Sequence, residues 1–277
     1  MNLLVASKKD PAGLNIAENL KEFMDFERLS KNTFIFKDNL LYLSEVDSIN
    51  CEFVERGFHE FHEIEFVMFL SRHSSSKKIS SLTLHTPGNF LKADFGGRDF
   101  EICHSNPVAQ KLALLELLKQ KKELNLDYEI SLEATHHGPL TSKPTMFAEI
   151  GSTQEQWRDE RASEALALAI LKALEWKNHE FKRAVGVGGG HYSKKHTFII
   201  LYREFAIGHI IPKYIIKKLD EQNFEERMKK ILKMVTSKNF GCDAVIMDFK
   251  GTPKRVLVRE IIKSLGFDVL KTKEILR

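Results

Sequence analysis

Short apolar runs rich in β-branched residues recur along the whole chain, and this pattern limits the fold more than any other feature. Such runs are typical of strands buried on both faces of a sheet. No repeat of 20 to 50 residues accompanies them, so a solenoid or a propeller is not indicated. The runs that we predict to be strands are residues 3–6, 33–36, 40–43, 65–70, 81–85, 130–134, 147–150, 184–187, 197–201 and 244–247.

Segments with helical periodicity lie between many of these runs. Asn106-Pro107 opens a predicted helix through AQKLALLELLKQKKEL, and Thr153 with Gln156 forms a capping-box sequence for a helix through EQWRDERASEALALAILKALEW. Further helices are predicted over residues 12–26, 221–235 and 256–264. The alternation predicts an α/β fold with a mostly parallel or mixed central sheet flanked by helices. We expect one domain over residues 1–277, with the catalytic motifs in residues 66–214.

The composition excludes several classes of protein. A chain of 277 residues with 43% hydrophobic and 29% charged residues can bury a large core, so disorder and a fibrous architecture are not expected. Cys51, Cys103 and Cys242 show no CxxC spacing, which argues against a disulfide framework or a thiolate zinc site. No signal peptide or membrane span is indicated, and we expect a cytoplasmic protein. The net charge of +4 is compatible with a polyanionic partner.

Polar residues follow several predicted strands abruptly, and ligands in open α/β sheets bind at the carboxyl ends of strands. The motifs are FLSRHSS, LTLHTPGN, LEATHHGP, MFAEIGST and VGVGGGHYSKKH. Imidazole and carboxylate groups together are what a hydrolytic zinc site requires. The sequence has neither a GxSxG motif nor a cysteine in a nucleophile motif, so metal-assisted hydrolysis is favoured over covalent acyl transfer. The candidate residues in these motifs are His73, His85, Glu133, His136, His137, Glu149, His191 and Tyr192.

Each candidate also has a plain structural interpretation. A lone histidine at a strand end more often donates to a backbone carbonyl group than binds a metal. His136 and His137 can bind the same ion only if the chain turns between them, which Gly138-Pro139 favours. Glu133 lies in an apolar run and would be costly to bury alone, and it is a metal ligand, a general base or a hydrogen-bond partner of a metal-bound histidine.

Other residues are more ambiguous. Glu149 is either part of the site or a partly exposed strand end paired with Arg158 or Arg161. His196 is expected to face solvent or a polyanion, whereas His209 ends an apolar run and is a further site candidate. The His59 to Glu63 segment of GFHEFHEIEF is not HExxH, and we interpret it as solvated.

The glycine-rich stretch before His191 departs from the dinucleotide-binding pattern GxGxxG, because His191 occupies the last glycine position. Consecutive glycines still allow close approach of a ligand, and their N–H groups can bind a phosphate or an oxyanion. The alternative is a tight crossing from strand to loop.

Taken in order, LSRHSS, LTLHTPGN, ADFGG, LEATHHGP, FAEIGST, VGGGHY and GHIIPKY resemble the D-aminoacyl-tRNA deacylase of archaea and plants. The resemblance runs from about residue 66 to 214. It implies a phosphorylase/hydrolase-like α/β fold and a zinc-dependent esterase, with two zinc ions per chain, that cleaves a D-amino acid from the terminal adenosine of tRNA. No protein partner is indicated, and we expect a monomer.

The resemblance also implies site residues, although it does not separate zinc ligands from the catalytic base. The expected metal ligands are His73, His85, His136, His137, Glu149 and His209. The expected catalytic residues are Glu133, His136, His137 and His191. The expected substrate-binding residues are Gly188, Gly189, Gly190, Tyr192, Lys143 and Lys194.

The mechanism that we expect is attack of a zinc-activated water on the ester, with a histidine or Glu133 as proton acceptor and the glycine N–H groups around the oxyanion. Backbone crowding at Gly188 to Gly190 or around Gly138-Pro139 would reject L-amino acids. Two other functions fit the same residues: a zinc amidohydrolase or peptidase, and a non-catalytic tRNA-binding module with structural histidines. The lysines expected to meet tRNA phosphates are Lys143, Lys194, Lys195, Lys213, Lys217 and Lys218.

Overall fold

The fold, described by a computed structural model for residues 1–61 and 63–277, contains two β-sheets. The larger sheet has eight strands in the order β2-β3-β4-β1-β5-β8-β6-β7. Its strands are β1 (Asn2–Ser7), β2 (Glu27–Arg28), β3 (Thr33–Phe36), β4 (Asn39–Ser44), β5 (Phe66–Ser74), β6 (Ser81–His85), β7 (Glu129–Leu132) and β8 (Thr145–Ser152). Strands β4, β1, β5 and β8 run parallel, whereas β6 is antiparallel to β8. The prediction of a mixed central sheet is therefore confirmed.

The smaller sheet has four strands, and every adjacent pair is parallel. Its order is β10-β9-β11-β12, formed by β9 (Lys182–Val187), β10 (Phe205–Ile211), β11 (Ala244–Met247) and β12 (Val269–Lys271). Parallel strands need crossover connections, and helices supply most of them. The helices of the chain are α1 (Pro11–Phe23), α2 (Pro107–Glu123), α3 (Gln154–Trp157), α4 (Glu160–Leu174), α5 (Lys194–Tyr202), α6 (Lys213–Lys217), α7 (Phe224–Lys238), α8 (Arg255–Ser264) and α9 (Thr272–Ile275).

Local sequence explains where α1 begins. The carboxylate of Asp10 accepts hydrogen bonds from the amides of Ala12 and Gly13 at the start of α1, and Pro11 occupies a first-turn position that needs no N–H donor. Gly13 lies so close to β5 that an added Cβ would sit 2.4 Å from the carbonyl oxygen of Leu70. The glycine therefore lets α1 pack directly against the middle of the larger sheet.

The hydrophobic core lies on both faces of the larger sheet and extends to the smaller one. Buried residues of α1, α2 and α4 pack on one face of the larger sheet, and a separate cluster around Phe69 and Phe147 covers the other face. A third cluster joins the smaller sheet to α7 and α8. Strands covered on both faces read as continuous apolar runs, which is why the sequence reveals most of them.

Several sequence-based predictions are wrong in detail. Residues 197–201, predicted as a strand, lie in α5, because a short apolar run does not distinguish a strand from a buried helix. His196 is buried, with its Nε2 atom 3.1 Å from the carbonyl oxygen of Ile246, and does not face solvent. The helix predicted after Thr153 is two helices, since Asp159 caps a second one.

Strands β2, β10 and β12 were not predicted. His62 lies outside the described residues, so the interpretation of the segment that contains it stays a prediction there. Within the described ranges, no helix is both long enough and apolar enough to span a membrane. The single-domain organisation also stays a prediction.

Candidate active site

The segment that follows β7 connects the two sheets and carries the central site residues. The amide of Glu133 donates to the carbonyl oxygen of Leu84 in the larger sheet, over 2.9 Å. Two residues later, the amide of Thr135 donates to the carbonyl oxygen of Ile210 in β10, over 3.1 Å. The amide of Ala134 donates to the carbonyl oxygen of His191. The candidate site therefore lies where the larger sheet meets the smaller one.

Three further site residues project from one face of the larger sheet. Glu149 of β8 lies beside Ser71 of β5 and Thr83 of β6, and alternation places His73 and His85 on the same face. Because β6 runs antiparallel to β8, the carboxyl ends of β5 and β6 lie at opposite ends of this face. The idea that strand ends meet at one edge is therefore wrong for His85, which reaches the site along the face of the sheet.

A row of imidazole rings crosses this face. The ring centroid of His136 lies 4.2 Å from that of His85, 4.3 Å from that of His137 and 4.5 Å from that of His191. His137 has a φ of 41°, in the left-handed region, so the chain turns directly after His136. This turn lets both adjacent histidines face the same space, as a shared ion requires.

Glu133 occupies the centre of the row, and its side chain is fully buried. Its Oε2 atom lies 2.9 Å from Nε2 of His191 and 3.6 Å from Nε2 of His136, and its Oε1 atom lies 3.2 Å from Nδ1 of His73. Despite these short distances, neither oxygen receives a well-aligned hydrogen bond from the described residues. The carboxylate is thus surrounded by imidazoles without being satisfied by them.

Glu149 forms the other end of the cluster. Its Oε2 atom lies 3.2 Å from Nδ1 of His73, and the residue is buried. The alternative of an exposed strand end paired with Arg158 or Arg161 is therefore wrong. The Nε2 atom of His73 lies 2.7 Å from the hydroxyl group of Tyr192, which places Tyr192 beside the cluster. Gly151 leaves the space for this imidazole, since an added Cβ would lie 2.8 Å from its Cδ2 atom.

The surroundings keep several of these histidines neutral. Burial, together with the neighbouring imidazoles, holds the pKa of His85 and that of His136 well below the usual range. Burial lowers the pKa of His137 to about 4. Both nitrogens of His85 are buried and have no hydrogen-bond partner among the described residues. Neutral imidazole with a free nitrogen is the form that binds a metal ion.

The two buried carboxylates respond in opposite ways. Burial opposes ionisation of Glu133, but His191, His136 and His73 outweigh it and lower the pKa of this group. Burial raises the pKa of Glu149, and the charge of Glu133 raises it further. Two buried carboxylates this close cannot both ionise easily without a compensating cation.

Three groups of side chains bring their ligand atoms within 4.8 Å of one another and could hold a metal ion. Glu133 and His136 each belong to two of them, so the groups form one continuous cluster. The groups are His85–His136–His137, Glu133–His136–His191 and His73–Glu133–Glu149. His209 is in none of these groups of described residues. Its Nδ1 atom lies 3.1 Å from Oγ1 of Thr135, behind the cluster, and burial lowers its pKa to about 3.

A pocket of about 440 Å3 opens beside His136 and His137, within the usual size range of small-molecule sites. Its walls are mostly apolar and aromatic, with Phe90, Phe95 and Tyr214 among them. Phe95 lies in the ADFGG motif and Tyr214 in GHIIPKY, and nothing else in the sequence distinguishes these two residues.

Comparison with known proteins identifies the family of the chain. A family model described as D-aminoacyl-tRNA deacylase matches residues 60–270. The chain belongs to the D-aminoacyl-tRNA deacylase family. It is 35% identical to the D-aminoacyl-tRNA deacylase of Archaeoglobus fulgidus, over 99% of this chain and 98% of that one. It is 36% identical to the D-aminoacyl-tRNA deacylase of Pyrococcus furiosus, over 98% and 100%.

A solved structure also resembles the whole chain. The crystal structure of a conserved protein of unknown function superposes with a TM-score of 0.88 at 33% identity, covering 99% of this chain and 96% of the other. The resemblance predicted from the motifs is confirmed. The D-aminoacyl-tRNA deacylase family consists of hydrolases that act on ester bonds.

At Gly188 and Gly189 the structure agrees with the second interpretation of the glycine-rich motif, a tight crossing from strand to loop. The amide of Gly188 donates to the carbonyl oxygen of Ile211, over 2.8 Å, and the amide of Gly189 to that of Gly251, over 3.2 Å. These two N–H groups are already used within the fold and cannot hold an oxyanion. A Cβ on Gly188 would lie 2.1 Å from Oγ1 of Thr252, and its φ is 91°, so glycine is required for a tight crossing.

The lysines expected to contact substrate fall into two sets. Lys143, Lys194 and Lys195 lie 2.6, 3.3 and 2.5 Å from carboxylates of Glu63, Glu129 and Asp248. Lys213, Lys217 and Lys218 are exposed and have no ion-pair partner among the described residues. Of the lysines considered, Lys218 lines the pocket beside His136.

Proposed function

We propose that this chain hydrolyses the ester bond of D-aminoacyl-tRNA, releasing a free D-amino acid and tRNA, with the aid of two zinc ions. The observation that carries the proposal is a cluster of buried imidazoles and carboxylates that opens into a pocket of about 440 Å3. Family membership supports the substrate. The imidazoles and carboxylates support the metal, because together they match the ligand types of hydrolytic zinc sites.

The unsatisfied atoms of the cluster favour zinc over a purely structural role for the histidines. His85 has two buried nitrogens without a partner among the described residues, and Glu133 has two unsatisfied oxygens. In this proposal His85, His136 and His137 hold one ion, and His73, Glu149 and the Oε1 atom of Glu133 hold the other, which leaves Oε2 of Glu133 beside His191 to accept a proton. Bound zinc would supply Lewis acidity, which lowers the pKa of water and polarises an ester carbonyl group.

We propose that Glu133 and His191 move the proton. The attacking water gives its proton to Oε2 of Glu133 as the new C–O bond forms. His191, at 2.9 Å from this oxygen and with a side chain 32% exposed, takes that proton from Glu133 and gives it to the ribose oxygen as the ester C–O bond breaks. The carboxylate ends the reaction in its starting form, and the D-amino acid and the ribose hydroxyl group are the products.

Rejection of L-amino acids is assigned in this proposal to the wall near Gly138. The pocket is lined by His137 and Gly88, and not by Gly188 to Gly190. An added Cβ on Gly138 would lie 2.1 Å from the amide nitrogen of Gly97, so main chain meets main chain at this wall. A rigid backbone wall can exclude the side chain of one stereoisomer. A tRNA substrate also implies the cytoplasm, where we propose that the chain acts as a monomer.

The decisive experiment compares turnover of D-tyrosyl-tRNA and L-tyrosyl-tRNA by zinc-loaded and chelator-treated protein. We expect hydrolysis of the D-isomer only, loss of activity with chelator, and recovery with added zinc. Equal turnover of both isomers, or full activity without metal, would contradict the proposal. Cleavage of D-aminoacyl amides or dipeptides at a higher kcat/KM would instead favour an amidohydrolase or peptidase. Binding of tRNA without any turnover would favour a non-catalytic tRNA-binding module.

A further inference from the structure

A second pocket adjoins the one beside His136. Its volume is about 420 Å3, and it shares Phe90 and Leu91 with the first pocket, so the same two side chains separate the two spaces. Ile231 and Met234 of α7 form its opposite wall, and Phe100 lines it. A molecule that fills the first pocket and continues past Phe90 would therefore enter the second.

The second pocket has an exposed aromatic ring on a constrained backbone. Phe100 is 55% exposed, and its φ is 57°, in the region that L-residues with bulky side chains seldom adopt. Its amide donates to the carbonyl oxygen of Leu91 over 2.9 Å, which fixes the residue in this conformation. Backbone strain of this kind persists where the surrounding structure enforces it, and it is concentrated at ligand-binding sites. Here it presents a large ring to the pocket.

Cations outnumber the single carboxylate, Asp94, among the described side chains that line the two pockets. Arg227 lines the second pocket, and Lys92 and Lys218 line the first. In the part of the chain that the structure describes, none of the three has an ion-pair partner, and all are exposed. Lys230 also lines the second pocket but lies 2.9 Å from a carboxylate oxygen of Glu226. Positive charge that is not neutralised within the protein favours an anionic ligand.

We propose that the second pocket binds the nucleotide that precedes the terminal adenosine in the single-stranded 3′ end of tRNA, with its base stacked on Phe100. The phosphate groups of this strand then face Arg227 and Lys218. Aromatic stacking combined with a cationic path along the backbone is the general way in which proteins bind single-stranded nucleic acid. This inference rests on the proposed function, in which the aminoacyl-adenosine occupies the first pocket.

A binding experiment tests the inference without depending on catalysis. The probes are adenosine and an ACCA tetranucleotide that carries no amino acid. The variants are Phe100→Ala and Arg227→Gln. Phe100→Ala should weaken tetranucleotide binding about tenfold, because stacking of a base on an aromatic side chain contributes to the binding free energy. Adenosine binding should change less than twofold. Arg227→Gln should weaken tetranucleotide binding about threefold and reduce its dependence on salt.

Matched controls come from the same protein. Phe23→Ala removes another exposed phenylalanine, at the end of α1, and Lys233→Gln removes another exposed cation of α7; neither residue lines a pocket described above. Both controls should bind the tetranucleotide as the unchanged protein does. Circular dichroism and thermal unfolding of each variant exclude a folding defect.

The inference is overturned if Phe100→Ala binds the tetranucleotide normally, or if it weakens adenosine and tetranucleotide equally. It is also overturned if the unchanged protein binds the tetranucleotide no better than adenosine. Turnover of D-tyrosyl-tRNA by the unchanged protein is measured separately and decides only the proposed function. Failure of the inference about the second pocket can therefore be distinguished from failure of the proposed function.

Discussion

The Oε2 atom of Glu133 lies 2.9 Å from Nε2 of His191, and this contact joins the strand end of the larger sheet to the glycine-rich loop of the smaller one. A bridge between the backbones of Glu133 and Tyr192 holds the two segments side by side. The cluster of potential metal ligands therefore depends on the relative position of the two sheets.

Replacing Glu133 by glutamine should lower kcat/KM for D-aminoacyl-tRNA by at least about 100-fold, because the amide cannot accept a proton and binds zinc poorly. Zinc content, measured by mass spectrometry, should fall in the same variant. The matched control is Glu129→Gln, four residues earlier on β7, where the side chain is 52% exposed and ion-paired with Lys194. A Glu133→Gln variant with normal turnover would exclude the proton transfer that we propose.

Replacing His85 by phenylalanine should show whether this residue is a metal ligand or a structural histidine. The imidazole stacks on Phe147 with ring centroids 5.0 Å apart and an angle of 9°, so a phenyl ring can take its place. Because the two unpaired nitrogens disappear, the metal-free variant should be as stable as the unchanged protein, or more stable by about 1 kcal/mol. Urea unfolding in chelator measures this, and zinc stoichiometry should fall. Normal zinc binding in this variant would show that His85 is not a ligand.

The metal-free protein should lose stability as the pH falls from about 6.5 towards 4. The pKa of His137 is about 4 and that of His209 about 3 in the folded chain, both lowered chiefly by burial from the ordinary value of 6.5. Below pH 6.5 these two histidines bind protons in the unfolded chain but not in the folded one, so they lower the free energy of unfolding by several kcal/mol in total; Glu149, whose pKa is raised by burial, offsets part of this loss. Above pH 6.5 the two histidines contribute no pH dependence.

Urea unfolding in chelator at pH 7.5, 5.5 and 4.5 measures this loss. The His209→Asn variant lacks one of the two groups and should lose less stability over the same interval. Equal unfolding free energies at pH 7.5 and 4.5 in the unchanged protein would contradict the expected burial of neutral histidines.

Replacing Lys218 by glutamine should weaken tRNA binding and lower the slope of log affinity against log salt concentration by about 1. Lys218 is exposed, lines the first pocket and has no ion-pair partner among the described residues. Lys143→Gln is the control, because Lys143 is already 2.6 Å from Glu63. Titrations at several salt concentrations provide both slopes. If the Lys218→Gln and Lys143→Gln variants show the same slope of log affinity against log salt concentration, the tRNA does not contact Lys218.

The local pattern of the sequence was sufficient for most of the secondary structure. Periodicity and capping residues act within a few positions of the chain, so Asn106 and Thr153 mark helix starts that the structure contains. The run at residues 197–201 was misassigned, because its apolar residues satisfy a strand and a buried helix equally.

The sequence by itself also determined the family, since the motifs around His73, His85, His136 and His191 keep their order along the chain. Only the tertiary structure decided how these residues meet. The direction of β6 places His85 on the same sheet face as His73 but at its opposite end, and the burial of Glu149 beside His73 follows from the strand order. The amides of Gly188 and Gly189 are consumed by contacts with Ile211 and Gly251. Such relations join residues that are distant in sequence, and no local pattern encodes which partner each group will find.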